Sequence, residues 1–141
     1  MSRNDPYGAF NFLVEIDGLP VAGFSECSGL SSEVAVIEYR EGGDRSATRK
    51  LPGLRKFTNI TLKRGLTSSR ELWQWHTTVA NGTPDRRNGR IVLLDEERQP
   101  VAAFRFVNGW IAKWEGPTLK ATGTDLAIES IEIVHEGLDL E

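Results

Sequence analysis

Apolar side chains recur at every second position through most of this sequence, and at helical spacing in one stretch only. That pattern confines the chain to a mainly β fold. Phe10, Phe12, Val14 and Ile16 alternate with Asn11, Leu13, Glu15 and Asp17, which predicts a strand with one strongly apolar face. Asp17-Gly18 supplies a turn, and 21–25 reads as a short return strand broken by Ser28-Gly29. The β-branched and aromatic run 32–40 is a strand, and 59–64 is another, with Ile60 and Leu62 inward. The stretches 90–94 and 101–107 flank the acidic turn Asp95-Glu96-Glu97-Arg98 as a hairpin, and 110–114 is a short strand ended by Gly116-Pro117. Leu126 and Ile128 share a face. Ile131 and Ile133 also share one, out of phase by one residue, which predicts a bulge near Glu129-Ser130.

The one helical period covers about residues 68–81. Ser68 with Glu71 has capping-box spacing, and Leu72, Trp75, His76 and Val79 fall on one face. Gly82 is placed to end the helix and Pro84 to prevent its continuation. Seven or eight strands and one flanking helix make a small antiparallel β-barrel or sandwich. A chain of 141 residues is one domain's worth, so 1–141 is read as a single domain. It carries 39% apolar and 26% charged residues, a mixture that can fill a core.

Little catalytic chemistry is visible. There is no glycine-rich phosphate cradle. Ser25 lies in a sequence that imitates a nucleophile elbow, but Cys27 stands where glycine is needed, and no helix follows. His76 sits on the apolar helix face and His135 ends the last strand, so neither joins a metal-ligating cluster, and no metal or cofactor is expected. Asp95, Glu96 and Glu97 are solvated turn charges. Cys27, the lone cysteine, has no disulfide partner and reads as a small buried hydrophobe. Asn59-Ile60-Thr61 and Asn81-Gly82-Thr83 match the glycosylation sequon without a secretory signal, since the first residues lack an apolar core. No apolar run approaches the length of a membrane span. Trp73 lies off the core face of the helix, either against the barrel or as an interface anchor.

Charge is unevenly distributed. Residues 40–58 hold Arg40, Arg45, Arg49, Lys50, Arg55 and Lys56 against Glu41 and Asp44, a net +4 that leaves −7 for the rest of a chain of net charge −3. The apolar period is lost there, and Gly42-Gly43 and Pro52-Gly53 are turn formers, so the stretch is a long extended loop or a β-ribbon. A solvated loop and a docking arm for an acidic surface are both consistent with it.

Several stretches together resemble the inner tube proteins of contractile tails. They are Asn11-Phe12-Leu13-Val14-Glu15-Ile16-Asp17-Gly18, the run 21–30, Ile37-Glu38-Tyr39-Arg40-Glu41-Gly42-Gly43-Asp44 and Arg49-Lys50-Leu51-Pro52-Gly53-Leu54. Asn59-Ile60-Thr61-Leu62-Lys63-Arg64-Gly65, Asp85-Arg86-Arg87-Asn88-Gly89, Trp114-Glu115-Gly116-Pro117 and the run 131–138 complete the set, in order along nearly the whole chain. The family includes myophage tail tubes and tubes of extracellular contractile injection systems, and is similar in fold to type VI secretion tube proteins. The resemblance implies hexameric rings stacked into a hollow tube inside a contractile sheath. Its implied partners are other copies of the chain, the sheath, baseplate or spike and tail-terminator proteins, and DNA or protein cargo in the lumen. It implies assembly in the cytoplasm, a place in a released particle or virion, no membrane insertion and no catalytic residues. By position and motif it makes Arg40, Glu41, Asp44, Arg45, Arg49, Lys50, Arg55 and Lys56 contacts between subunits or rings. The other reading is a secreted type VI-like ring or cargo-binding module.

Overall fold

A single 16-residue strand holds the two halves of the molecule together. The computed structural model describes residues 6–8, 11–19, 23–40, 42–43 and 48–141. In chain order the elements are β1 (Phe12–Ile16), β2 (Glu26–Ser28), β3 (Ser32–Tyr39), β4 (Arg49–Phe57), β5 (Ile60–Gly65), α1 (Glu71–Ala80), β6 (Arg87–Leu94), β7 (Pro100–Glu115), β8 (Ile128–Val134) and β9 (Gly137–Leu140). The first part of β7 pairs with β6 and β9, and its last part pairs with β8. One seven-stranded sheet results, in the order β1-β6-β7-β8-β5-β2 with β9 added on β7. Among the described residues no ladder joins β1 to β2, so the sheet folds into a sandwich-like body and not a closed barrel. Of the return strand expected at 21–25, residues 23–25 are not strand and β2 begins at Glu26; Phe10, Val21 and Ala22 lie outside the described residues.

The bends lie in β7. Arg87 faces Gly109 and Gly89 faces Phe106, so Val107 and Asn108 together oppose Asn88. This is a bulge. Asn108 adopts φ 52°, donates its backbone N–H to Asn88 Oδ1 (3.0 Å), and donates Nδ2 to Glu136 Oε2 (2.8 Å). A second irregularity leaves Ala112 unopposed between Ile111 and Lys113. The separate short strand expected at 110–114 is therefore the continuation of β7. The bulge expected at Glu129-Ser130 is absent: β8 pairs with β5 without a slip from Ile60↔Ile133 to Gly65↔Ile128. Glu129, Ile131 and Ile133 alternate inward in phase, and the apparent slip arose because the inward residue beside Ile128 is a carboxylate.

The main core joins Val14 and Ile16 of β1, Ile60 and Leu62 of β5, Ile91 of β6, Phe106 and Ile111 of β7, and Ile131 and Ile133 of β8. Helix α1 closes it with Leu72 and Trp75, both nearly inaccessible, and with partly buried Val79. Trp75 Nε1 donates to the Asp85 carbonyl (2.8 Å), the Arg87 guanidinium lies 4.8 Å from its ring centroid, and His76 Nδ1 donates to the Ile111 carbonyl (2.9 Å). The helix starts three residues later than expected because the Ser68–Glu71 capping box does not form. Arg70 is the N-cap, without a side-chain cap bond, and Ser69 Oγ donates to Glu71. Its end follows the sequence signal: Gly82, at φ 93°, donates to the Val79 carbonyl and Thr83 to that of Thr78, the reciprocal pattern of a Schellman stop.

One ion pair is buried in this core. Arg64 on β5 and Glu129 on β8 are 7% and 2% exposed, in register, with Arg64 Nε donating to Glu129 Oε1. Trp114 Nε1 donates to the other oxygen (3.1 Å). The Phe24 ring lies under the guanidinium, whose Nη2 has no hydrogen-bond partner.

Phe106 is packed between two glycines. A Cβ on Gly89 would come within 2.4 Å of its ring, and one on Gly109 within 2.5 Å. Because the ring is fully buried it has nowhere to retreat. Gly89→Ala is expected to cost about 1–3 kcal/mol, read as a lowered urea midpoint at unchanged slope.

Candidate inter-subunit surface

Strands β3 and β4 form a sheet of their own, a two-stranded ribbon outside the seven-stranded body. Of the two forms the sequence allowed for 40–58, the ribbon is the one present, with β4 taking up Arg49–Phe57. Its register runs from Ser32↔Phe57 to Tyr39↔Arg49, with an irregularity between Val34 and Val36 where Gly53 and Leu54 together oppose Ala35.

The root of the ribbon is bonded to the body. Thr58 Oγ1 donates to the Gly29 carbonyl (2.9 Å) and accepts from Ser31 Oγ (2.6 Å). His135, at the β8–β9 turn, places Nε2 3.2 Å from the Thr58 carbonyl and its ring against Phe57. Arg55 Nε donates to Ser32 Oγ (2.9 Å), and its guanidinium covers Phe57. These contacts fix where the ribbon leaves the body, and the rest of it stands off.

Of the residues assigned to this site from sequence, Arg49, Lys50, Arg55 and Lys56 lie exposed on β4, opposite Tyr39, Glu38, Val34 and Glu33. Arg40 is exposed just beyond β3. Glu41, Asp44 and Arg45 lie outside the described residues. The structure thus brings four of the basic side chains onto one strand. It also changes the charge argument. The ribbon begins at Ser32, so it includes Glu33 and Glu38, and from 32 to 57 it carries six basic and four acidic side chains, a net +2.

Apolar exposure is the stronger feature, and sequence reasoning missed it. Val34, Ile37, Tyr39 and Leu51 are each about half exposed, Val36 is 64% exposed and Leu54 81%. Val36 and Ile37 are consecutive, so they point to opposite faces. Ile37 lies across from Leu51, and Val36 across from Pro52. Both faces of the ribbon are therefore apolar and uncovered. The signal was present in Val34-Ala35-Val36-Ile37, an apolar run without alternation, which normally marks a strand covered on both sides.

Chemistry elsewhere is sparse. Among the described residues no group of His, Cys, Asp and Glu could hold a metal ion. Burial pushes the Cys27 thiol up to about 11, so it stays protonated near neutral pH and is a poor nucleophile. Ser25 Oγ donates to the Lys63 carbonyl (3.1 Å) as a turn hydroxyl. No helix among the described residues is long and apolar enough to cross a membrane.

Comparison with known structures places this architecture. A chain of the sheath–tube complex of an extracellular contractile injection system, PVC, in its extended state superposes with a TM-score of 0.89. It is 24% identical, and the match covers 98% of this chain and 93% of that one. A chain of the anti-feeding prophage (AFP) baseplate gives 0.87 at 23% identity, over 99% of this chain and 97% of that one. Hcp1 from Flavobacterium johnsoniae is more distant, at 0.59 and 13% identity, over 92% and 93%. No curated protein matches the sequence. These likenesses establish the fold. The family model for the T4-like virus tail tube protein gp19 matches residues 8–139, which is nearly the whole sequence, so the chain belongs to that tail tube protein family.

Proposed function

We propose that this chain, as one domain over 1–141, is the repeating structural subunit of the inner tube of a contractile tail or tail-like injection particle. Copies close into hexameric rings, and the rings stack into a hollow tube inside a sheath. The ribbon is the arm that joins one copy to the next, with Arg40, Glu41, Asp44, Arg45, Arg49, Lys50, Arg55 and Lys56 at or near the contact. One observation carries this reading: a two-stranded ribbon with apolar side chains uncovered on both faces. Such a ribbon is at best marginally stable alone in water. The outer edges of β1 and β2, unpaired among the described residues, add a second surface that another copy would cover. Baseplate or spike, tail-terminator and sheath proteins are the remaining partners. DNA or protein cargo passes through the lumen. Assembly takes place in the cytoplasm before the particle is released.

The test separates apolar from charged contributions. Covering one aliphatic side chain contributes about 1.5–3 kcal/mol, whereas an exposed ion pair contributes about 0–1 kcal/mol. Ile37→Asp with Leu51→Asp should therefore abolish tubes in electron micrographs. Arg49→Glu with Lys50→Glu should shorten them and make them more sensitive to salt. Both variants should keep the urea midpoint of the protomer's core, because no described ribbon residue belongs to the core. Full-length tubes from the Ile37/Leu51 variant would exclude the arm reading.

A further inference from the structure

A groove of about 260 Å³ lies beside the N-terminus of α1, between Trp73 and Leu66, with Trp114 at its base. Trp73 is 44% exposed and meets Trp114 edge to face at 4.9 Å, so two aromatic surfaces line it. The base is electrically satisfied, since Glu129 is occupied by Arg64 and Trp114. The rim is not. Arg70 donates only to the backbone carbonyls of Thr67 and Ser69, and among the described residues no carboxylate pairs with it. The groove therefore suits an apolar side chain flanked by a carboxylate.

We infer that the β3 side of the ribbon of a second copy occupies this groove, with an aliphatic side chain between Trp73 and Leu66 and Glu38 paired to Arg70. On β3, Glu33 and Glu38 bracket the run Val34–Ile37, and among the described residues neither carboxylate forms an ion pair, although Lys56 and Lys50 stand opposite in register. The apolar and charge patterns of donor and receiver thus match. One surface of the chain covers a different surface of the next copy, a heterologous contact that repeats around a ring or along a stack. Exposed tryptophan with arginine beside it is also the composition of interface hot spots.

The inference rests on the arm reading above, and the experiment separates the two. Trp73→Ala keeps a good helix former on an exposed position, so the protomer should stay folded by circular dichroism. Tube yield by sedimentation should fall roughly tenfold or more, as for a central interface anchor. Arg70→Glu and Glu38→Arg should each reduce yield, and the two together should restore it. In a Cys27→Ser background, Trp73→Cys with Val36→Cys, which shares the strand face of Glu38, should give disulfide-linked multimers on mild oxidation. Loss of tubes in the Ile37/Leu51 variant, with normal tubes in Trp73→Ala and no rescue by the charge exchange, would overturn the groove assignment and leave the arm intact. Normal tubes in all of these variants would overturn both.

Discussion

Glu129→Ala is expected to destabilise the protomer by about 3–5 kcal/mol, the cost of leaving a buried charge without its partner. Arg64 is 7% exposed and has no other ion-pair partner among the described residues. Its Nη2 is already unpaired, and Trp114 Nε1 would lose its acceptor as well. Against a total stability of about 5–15 kcal/mol that is a large fraction. It would appear as a lowered midpoint in urea denaturation of the isolated protomer. The pair itself is a different matter. Arg64→Met with Glu129→Leu removes both charges and fills the space with apolar atoms, and should recover most of the loss, because desolvation offsets much of a buried pair's attraction. A Glu129→Ala midpoint within about 1 kcal/mol of the parent would mean that water reaches Arg64.

Trp75→Ala should cost a comparable amount, about 3–5 kcal/mol. The ring is 1% exposed and belongs to the core that seals α1 onto the sheets. Its loss opens a cavity and removes two further contacts, the Nε1 bond to the Asp85 carbonyl and the stacking under Arg87. Arg87 also grips Asp85 through two bonds of 3.1 and 3.0 Å, so the loop after the helix should loosen with it. Trp75→Phe keeps much of the volume and loses the indole donor, leaving the Asp85 carbonyl unsatisfied at about 1–3 kcal/mol. If the alanine and phenylalanine variants had equal midpoints, the hydrogen bond and not the packing would be the dominant contribution.

The parts of the fold that a local rule governs were legible in the sequence. The β6–β7 hairpin sits where the acidic turn placed it, because Asp95 Oδ1 accepts from the backbone of Glu97 (2.9 Å) and Gln99 (2.8 Å). Gly82 ends the helix because it alone tolerates φ 93° there without strain. Two of the differences arise where polar or apolar character does not report burial. The apolar pattern predicts a bulge at Glu129-Ser130 because Glu129, an inward residue, is charged, and the partner that permits its burial is 65 residues away on β5. The run Val34–Ile37 was read as an ordinary strand, although its apolar surface faces no core of its own chain. Cutting the arm at Arg40 rather than Ser32 omitted Glu33 and Glu38, which made the stretch look twice as basic as it is. Asn108-Gly109 read as a break, because a bulge that turns a continuous strand uses the same residues as a turn that ends one.

The shared strand β7 also sets an order in time. A chain emerging from the ribosome can close the β3–β4 ribbon by residue 57, since that ladder is local. Strand β1 must wait for β6, and β5 for β8, some 70 residues later. Until β7 is synthesised neither half of the body has its central strand, and Ile60, Leu62 and Val14 lack their final neighbours. The arm's ladder can therefore pair early, though the root contact with His135 comes late, and Trp114 and Glu129, at the base of the proposed groove, come from the last fifth of the sequence. Non-local pairing of this kind folds slowly. Under the proposed arm-and-groove contact, polymerisation of nascent subunits would wait until synthesis is nearly complete.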